Sequence, residues 1–258
     1  MNLTELTIKE IKAKVEQLDQ VSADLIEQLK QDSRKGVQQI ATRVVKRKKR
    51  KRAAQEKYQR MQFYETKKRD EGYQLICGID EAGRGPLAGP VVAGAVILSS
   101  DTYIPGIDDS KKLSEAKREE LFDIIHTKAQ AVGVGIVEQE RIDEINILEA
   151  TYQAMKEAIS DLGLLPDYLL VDAENIPEVG IPQAGIEEGD AKSVSIAAAS
   201  IIAKVTRDRM LEKYDEEYPE YGFASHKGYG TKQHRQALEE FGPCAIHRKS
   251  YKIVQKNL

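Results

Sequence analysis

The sequence has little cysteine and no long hydrophobic run, and both absences exclude classes of protein. Its two cysteines, Cys77 and Cys244, do not form a metal-ligand spacing, and Cys77 lies in an apolar run where a packed, reduced thiol is expected. The longest apolar stretches, near residues 91–98 and 196–203, are far too short to span a bilayer. The first residues contain no signal-peptide core. We therefore expect a cytoplasmic protein without a membrane partner.

The chain also lacks the two common nucleotide-binding loops. Its glycine-rich segment contains Gly83, Gly85 and Gly89, but it does not end in the Gly-Lys-Ser/Thr of a P-loop. The spacing of these glycines is also wrong for a dinucleotide fingerprint. Asp80 and Glu81 precede the loop and would repel a pyrophosphate held without a metal. The loop therefore indicates a different ligand.

Charge is distributed unevenly along the 258 residues. The formal net charge is -3, yet residues 1–72 carry an excess of positive charge and the remainder is negative. The clearest feature is a run of seven basic residues at positions 46–52. A basic arm on an acidic body suggests an anionic polymer as partner. The alternative is a charge-rich helix that is only solvated.

The pattern of hydrophobic residues predicts two parts. Residues 1–70 read as a helical extension, with Thr7 and Glu10 in a capping box and a third helix running from Arg34 toward Arg69. This extension has too little apolar surface to fold well by itself. Residues 71–258 read as one mixed α/β domain without internal repeats. Strands are expected at 75–80, 91–98, 132–137 and 168–172, and helices at 115–128, 148–162, 192–214 and 232–241.

Four acidic residues occupy positions that suggest catalysis: Asp80, Glu81, Asp172 and Asp190. Asp80 and Asp172 each end an apolar strand, so their carboxylates would meet at one sheet edge if the strands are neighbours. Oxygen ligands without nearby histidine or cysteine favour Mg²⁺ or Mn²⁺, and two such ions can promote phosphodiester hydrolysis. Each acid taken alone would more often be a helix cap or a surface charge. Their joint placement favours the metal site.

Further residues fit a nucleic-acid ligand. The glycines of Gly83-Arg84-Gly85 allow close backbone approach, and the arginine can meet a phosphate. Lys111 and Lys112 could contact phosphates, and Tyr229 could stack on a sugar or base, although ordinary packing is the common role of a tyrosine. Asp108 and Asp109 are expected in a solvated turn, and residues 247–250 in another basic patch.

Taken together, these motifs resemble bacterial ribonuclease HII, the type 2 ribonuclease H. The resemblance covers roughly residues 75–251 and is carried by segments 78–85, 109–114, 171–172, 189–190, 195–208, 226–231 and 246–248. The intact Gly83-Arg84-Gly85 loop favours type 2 over the related type 3 enzyme. The resemblance implies an RNase H-like fold, a mixed central sheet flanked by helices with a helical C-terminal part.

The resemblance also implies an activity. It predicts an endonuclease that cleaves RNA in RNA–DNA hybrids and cuts on the 5′ side of single ribonucleotides in duplex DNA, leaving 3′-hydroxyl and 5′-phosphate ends. Asp80, Glu81, Asp172 and Asp190 would be the metal-binding catalytic acids. Gly83, Arg84 and Gly85 would read the ribose 2′-hydroxyl, Tyr229 would stack on the next deoxyribose, and Lys111 and Lys112 would hold phosphates.

Two questions stay open at this point. The basic arm alone would also suit a non-catalytic nucleic-acid-binding protein, although such a protein gains nothing from carboxylates in its cleft. A different metal-dependent phosphotransferase with the same sheet is a further alternative.

Many relatives begin near the Gly-Ile-Asp-Glu motif, so we interpret the extension as an added, sequence-independent contact to the duplex through residues 46–52. A monomer is expected.

Overall fold

The computed structural model describes residues 3–18 and 21–258. The chain divides into two compact units, Met1–Lys57 and Tyr58–Leu258. Residues 58–70, which the sequence analysis assigned to the extension, therefore belong to the second unit by their contacts. Among the described residues, no helix combines the length and the apolar character needed to cross a membrane.

The first unit is helical. It contains α1 (Ile8–Glu16), α2 (Ala23–Gln31) and most of α3 (Lys35–Met61). The predicted capping box is present, because the Thr7 hydroxyl accepts a hydrogen bond from the Glu10 amide and the Glu10 carboxylate accepts one from the Thr7 amide. The unit has a hydrophobic core of its own, which the sequence analysis did not expect. Its buried members are Leu3, Ile11, Val15, Val21, Ile26, Leu29, Val37, Ile40, Ala41 and Val44.

The second unit is built on a five-stranded mixed sheet. The strands are β1 (Ile76–Ala82), β2 (Val91–Ile97), β3 (Ala131–Val137), β4 (Tyr168–Asp172) and β5 (Gln183–Ile186). Their order is β3-β2-β1-β4-β5, with β1 antiparallel to β2 and parallel to β4. The sequence predicted four of them and missed β5, which is only four residues long and partly exposed.

Helices cover both faces of this sheet. The remaining helices, in chain order, are α4 (Phe63–Asp70), α5 (Glu115–Lys128), α6 (Gln139–Ile145), α7 (Ile147–Asp161), α8 (Gly189–Lys192), α9 (Val194–Glu217), α10 (Phe223–His226), α11 (Lys232–Phe241) and α12 (Lys252–Gln255). Helices α5 and α11 and strand β4 have the predicted bounds. The third predicted helix is wrong in its length, because α3 ends at Met61 and α4 begins at Phe63.

Helix α9 lies very close to the central strand. A Cβ atom at Gly78 of β1 would lie 2.1 Å from the carbonyl carbon of Ser195, and one at Gly94 of β2 would lie 2.4 Å from the Ala199 oxygen. Only glycine permits this approach. Because side chains alternate along a strand, Asp80 lies on the same face of β1 as Gly78. The packing of α9 thus sets the environment of this acid.

Candidate active site

Two acids lie side by side on neighbouring strands. Asp172 ends β4 as predicted, but β1 continues past Asp80 to Ala82, so the prediction that Asp80 ends its strand is wrong. Ile79 of β1 pairs with Val171 of the parallel strand β4, and the next residues are Asp80 and Asp172. Asp80 is 3% exposed, and its Oδ1 accepts a hydrogen bond of 2.7 Å from the Glu81 amide. The predicted meeting of these two carboxylates requires the strands to be neighbours. The structure meets that condition.

Asp190 reaches the same region from the short helix α8. The amide of Gly189 donates a 2.7 Å hydrogen bond to Asp172 Oδ1, which ties the start of α8 to the end of β4. Asp190 is 5% exposed, and Lys111 Nζ lies 3.5 Å from its Oδ2. The α8 segment therefore brings a third carboxylate beside the two strands.

A cleft of about 310 Å³ opens over Asp172 and Asp190, and its lining does not include Asp80 or Glu81. Its lining consists of Asp109, Lys111, Lys112, Asp172, Glu188, Asp190 and Ala191. The interpretation of Asp109 as a solvated turn residue is wrong, since its side chain is 13% exposed and lies 3.2 Å from Lys112 Nζ. The cleft thus presents carboxylates as well as two lysine side chains to a ligand.

The acids are costly to keep ionised. Burial, reinforced by the charges of Glu81 and Asp172, raises the pKa of Asp80 well above its ordinary value. Burial also raises the pKa of Glu81, against the opposing effect of Arg84, whose Nη1 lies 3.4 Å from Glu81 Oε1. The pKa of Asp190 is raised by burial and by Asp109, against Lys111. A cation shared between these carboxylates would relieve this cost.

The donor set fits a divalent metal ion. All candidate ligands are carboxylate oxygens, and Asp80 Oδ2 is buried without a hydrogen-bond partner. Within residues 3–18 and 21–258, no three histidine, cysteine or acidic side chains are gathered into a ready-made cage. Lys111 forms an ion pair with Asp190, so a metal ion would compete with the lysine for this carboxylate. Ion binding would therefore include some movement of these side chains.

The glycine-rich loop beside the acids is held by two buried arginines. Arg248, 0% exposed, donates to the carbonyl oxygens of Gly83 at 2.6 Å, Arg84 at 3.0 Å and Gly89 at 2.8 Å. Arg207, 1% exposed, donates to the carbonyls of residues 88, 90 and 227. Gly83 has φ +101°, and a Cβ there would lie 2.2 Å from Arg207 Nε. The loop is therefore fixed in a conformation that requires glycine.

Tyr229 lies next to this loop with its ring exposed. A Cβ at Gly85 would meet the Tyr229 ring at 3.6 Å, and the side chain is 47% exposed. The Tyr229 carbonyl accepts a hydrogen bond from His234 Nδ1 at 3.0 Å, and His234 Nε2 lies 2.9 Å from His247 Nε2. Burial lowers the pKa of both imidazoles to about 4, so both are neutral at pH 7. An exposed ring on an anchored backbone is suited to stacking.

A larger cavity lies in the first unit and differs in chemistry. It has a volume of about 540 Å³ and is lined by Glu16, Leu18, Val21, Val44, Arg47, Lys48, Lys51, Arg52 and Gln55. This groove has an apolar floor and a basic wall but only one carboxylate. Size alone would favour this groove as the reactive centre, but the cleft beside Asp172 and Asp190 is the one with several acids in its lining.

Comparison with known proteins decides the family. The family described as Ribonuclease HII matches residues 77–254. A protein named Ribonuclease HII from Clostridioides difficile (strain 630) is 54% identical over 246 residues, which is 95% of this chain and 96% of that protein. The chain belongs to the ribonuclease HII family. It is accordingly a ribonuclease H, an enzyme that hydrolyses the RNA of RNA–DNA hybrids, which confirms the predicted enzyme class.

A solved structure supports the ribonuclease HII fold. The ribonuclease H2 from Pyrococcus horikoshii OT3 is similar with a TM-score of 0.61 and 31% identity, covering 70% of this chain and 96% of that chain. The expected RNase H-like mixed sheet flanked by helices is confirmed. The match leaves part of our chain uncovered, as expected for a protein with an added segment.

The N-terminal extension is also a feature of ribonuclease HII proteins. A family described as Ribonuclease HII N-terminal domain matches residues 7–69. A Ribonuclease HII from Bacillus subtilis (strain 168) is 52% identical over 250 residues, covering 97% of this chain and 98% of that protein. The extension is therefore shared with these relatives and is not peculiar to this chain.

The buried basic residues that support the ribonuclease HII site were not recognised from the sequence. For the basic patch predicted at residues 247–250, ligand contact and ordinary packing were both open, and the structure buries His247 and Arg248, which are 1% and 0% exposed. Arg207 was only part of a motif and received no role. Arg207 lies in the second half of the predicted helix 192–214, beyond its alanine-rich part, and a buried guanidinium there needs acceptors. The sequence could not show that those acceptors are loop carbonyls far away in the chain.

Proposed function

We propose that this ribonuclease HII nicks the 5′ side of a ribonucleotide embedded in duplex DNA and cleaves the RNA strand of RNA–DNA hybrids, leaving 3′-hydroxyl and 5′-phosphate ends. The observation that carries the proposal is the buried, partly unpartnered carboxylate of Asp80 among like charges at the strand ends. It lies beside a glycine loop in which Arg248 holds the carbonyls of Gly83 and Arg84, while Arg84 and Gly85 are exposed. A protein that only binds nucleic acid would not bear this electrostatic cost.

Asp80, Glu81, Asp172 and Asp190 are the proposed ligands of divalent ions, Mg²⁺ or Mn²⁺. These four carboxylates would hold the ions, which would supply activation of a water and stabilisation of the leaving oxygen in an in-line displacement. The carboxylates repel the phosphodiester unless their charge is neutralised, so they also make cleavage depend on the ion. Lys111 and Lys112, at the cleft, are proposed to hold neighbouring phosphates.

The glycine loop and Tyr229 supply the proposed selectivity. Gly83, Arg84 and Gly85 would read the ribose 2′-hydroxyl, largely through backbone groups that a DNA strand leaves unpaired. Tyr229 would stack on the following deoxyribose, because its exposed ring lies next to Gly85. A ribonucleotide followed by DNA would satisfy both contacts.

A duplex carrying one internal ribonucleotide tests the proposal directly. The purified protein is incubated with it in Mg²⁺, in Mn²⁺ and in chelator, and an all-DNA duplex of the same sequence is the control. We expect a metal-dependent nick on the 5′ side of the ribonucleotide and no cut in the control. Cleavage restricted to long hybrid tracts would refute the single-ribonucleotide activity. Tight binding without any cleavage would favour the binding-protein alternative.

We further propose that the first unit contacts the duplex backbone. Residues 46–52 of α3 are all exposed, and Arg47, Lys48, Lys51 and Arg52 form one wall of the groove in that unit. Phosphates are the anions that such a spaced row of cations recognises without reading sequence. This contact would raise affinity for any duplex and leave the choice of cleavage site to the second unit.

A further inference from the structure

Residues 58–70 are built into the second unit by buried contacts. Tyr58 and Met61 belong to the hydrophobic cluster beneath α9. The Tyr58 hydroxyl donates a 2.7 Å hydrogen bond to the Thr102 carbonyl, and Arg69 Nη2 donates one of 3.0 Å to the Leu98 carbonyl. The Ribonuclease HII N-terminal domain match ends at residue 69 and so includes this segment. Its contacts nevertheless place it in the unit that carries the acids.

Glu65 is the most buried charged residue of this segment. It is 1% exposed, and its Oε1 accepts three hydrogen bonds: 2.5 Å from the Ser193 hydroxyl, 2.6 Å from the Ser195 hydroxyl and 3.0 Å from the Ser195 amide. Its other oxygen, Oε2, is buried without a partner. A buried carboxylate needs compensation, and here the donors come from the start of α9.

The serines that Glu65 holds form the junction between α8 and α9. Ser193 is the N-cap of α9, where its hydroxyl accepts from the Ile196 amide at 3.2 Å. The Ser193 amide donates to the Gly189 carbonyl at 2.8 Å and closes α8, the helix that carries Asp190. Asp190 therefore stands on a four-residue helix whose end is fixed from outside by Glu65. So short a helix has little stability of its own.

We infer that Glu65 is a positioning residue for Asp190. Its carboxylate accepts hydrogen bonds from two serine hydroxyls and one backbone amide, and this fixes the orientation of α8, which follows β5 and carries Asp190 beside Asp172. The segment before the glycine-rich motif is thus part of the reaction centre's support, although it touches no substrate. The inference rests on the proposed role of Asp190 as a metal ligand.

Substitutions in the full-length chain test this inference. Glu65→Ala removes all three hydrogen bonds, whereas Glu65→Gln keeps an oxygen that can accept from both serines. We expect Glu65→Ala to lower kcat on the single-ribonucleotide duplex about tenfold with KM nearly unchanged, because misplacing a reacting group weakens the transition state more than duplex binding. The Mg²⁺ concentration for half-maximal rate should rise. Glu65→Gln should recover much of the rate.

Tyr58→Phe is the matched control. It deletes a buried hydrogen bond in the same segment, the bond to the Thr102 carbonyl, and keeps both the ring that packs in the cluster with α9 and the hydrogen bonds at the α8–α9 junction. A second readout avoids activity: the rise in melting temperature on adding Mg²⁺ or Mn²⁺ should be smaller in Glu65→Ala than in Tyr58→Phe and wild type. If Glu65→Ala does not fold, the same comparison is made with Glu65→Gln, for which an intermediate loss is expected.

The outcomes separate the inference from the proposed function. Wild-type protein that nicks the duplex and gains stability from metal, with a Glu65→Ala variant equal to Tyr58→Phe in both readouts, would overturn the inference alone. Wild-type protein that neither nicks nor responds to metal would overturn the proposed function, and the positioning role would fall with it. A selective loss of kcat and of metal response in Glu65→Ala supports both.

Discussion

At the scale of single residues, Asp80 has a position that suits a function but is unfavourable for the stability of the fold. It is buried, close to two other acids, and one of its oxygens has no hydrogen-bond partner. Natural proteins keep such groups where activity needs them and lose stability as a result. Substitution of Asp80 should therefore lower activity and raise stability.

Replacing Asp80 by Asn should abolish turnover and stabilise the fold. We expect kcat to fall by more than about 10²-fold, because ligands of a catalytic metal control several kcal/mol of the barrier. The free energy of unfolding, measured in urea with chelator present, should rise by on the order of 1–3 kcal/mol, because a buried charge is removed. Duplex binding should be kept or improved. A destabilised Asp80→Asn variant would return Asp80 to a structural role.

The pH dependence should follow from the raised carboxyl pKa values of Asp80, Glu81 and Asp190. Protons compete with metal for these groups, so kcat/KM should rise with pH through values above the ordinary carboxyl range of about 4. A higher metal concentration should shift this rise in kcat/KM to lower pH. Rates that stay constant down to about pH 4 would contradict the raised pKa values.

Stability should change in the opposite direction in chelator. Between the ordinary carboxyl pKa and the raised one, the folded state holds a proton that the unfolded state has lost, so the free energy of unfolding contributed by Asp80 falls as pH rises. The stabilising effect of Asp80→Asn should therefore be small near pH 4 and grow toward pH 7. Thermal unfolding of both proteins across this range measures the difference.

At the scale of elements, the glycine-rich loop depends on Arg248, which arrives from the far end of the chain. Its guanidinium donates in several directions to the carbonyls of Gly83, Arg84, Gly89 and Pro90. A lysine ammonium cannot reproduce this planar fork. The conformation of the loop is therefore decided by one side chain 158 to 165 residues away in sequence.

Replacing Arg248 by Lys should loosen the loop and weaken its reading of ribose. We expect the free energy of unfolding to fall by about 3 kcal/mol, because several buried carbonyls lose their donor. The preference for a ribonucleotide-containing duplex over all-DNA duplex, measured as a ratio of binding constants, should fall at a temperature where the variant is folded. Arg235→Lys, whose arginine makes an exposed contact to the Gly230 carbonyl, is the control. Unchanged preference in Arg248→Lys would separate the loop from 2′-hydroxyl recognition.

At the scale of the whole molecule, the basic run of α3 should act on affinity and not on chemistry. Changing Arg47, Lys48 and Lys51 to Gln should weaken duplex binding and reduce the slope of log K against log salt by up to about 0.9 for each phosphate that the variant no longer neutralises. Glutamine is chosen because it preserves helix formation. The position of the nick should not change.

The control for charge alone is an equal number of Lys→Gln changes elsewhere in the first unit, at Lys9, Lys14 and Lys30. If both sets reduce the salt slope equally, the groove has no special role. If neither set changes it, the first unit does not contact the duplex. Deletion of residues 1–70, the simplest test suggested by the sequence, would also remove Glu65 and so confuse affinity with positioning.

The sequence by itself determined the family, the fold class and the placement of Asp80 and Asp172 on two apolar strands. These features are local: an apolar run that ends in an acid, a glycine spacing and a cap each depend on a few neighbouring residues. Strand β4 and helices α5 and α11 were placed correctly for the same reason. The roles of the four acids, of the glycine loop and of Tyr229 remain predictions that the proposed experiments address.

The tertiary structure alone decided which distant groups support that site. The sequence places Asp109 in a turn and Arg248 in a basic patch. In the folded protein, Asp109 lines the cleft and loop carbonyls surround Arg248. In the sequence, Glu65 is an acid in a short polar helix without an evident role, but folding places it against Ser193, which is 128 residues away in the chain. Partners this far apart leave no periodicity or spacing in the sequence, because the contact exists only after the sheet and α9 have packed.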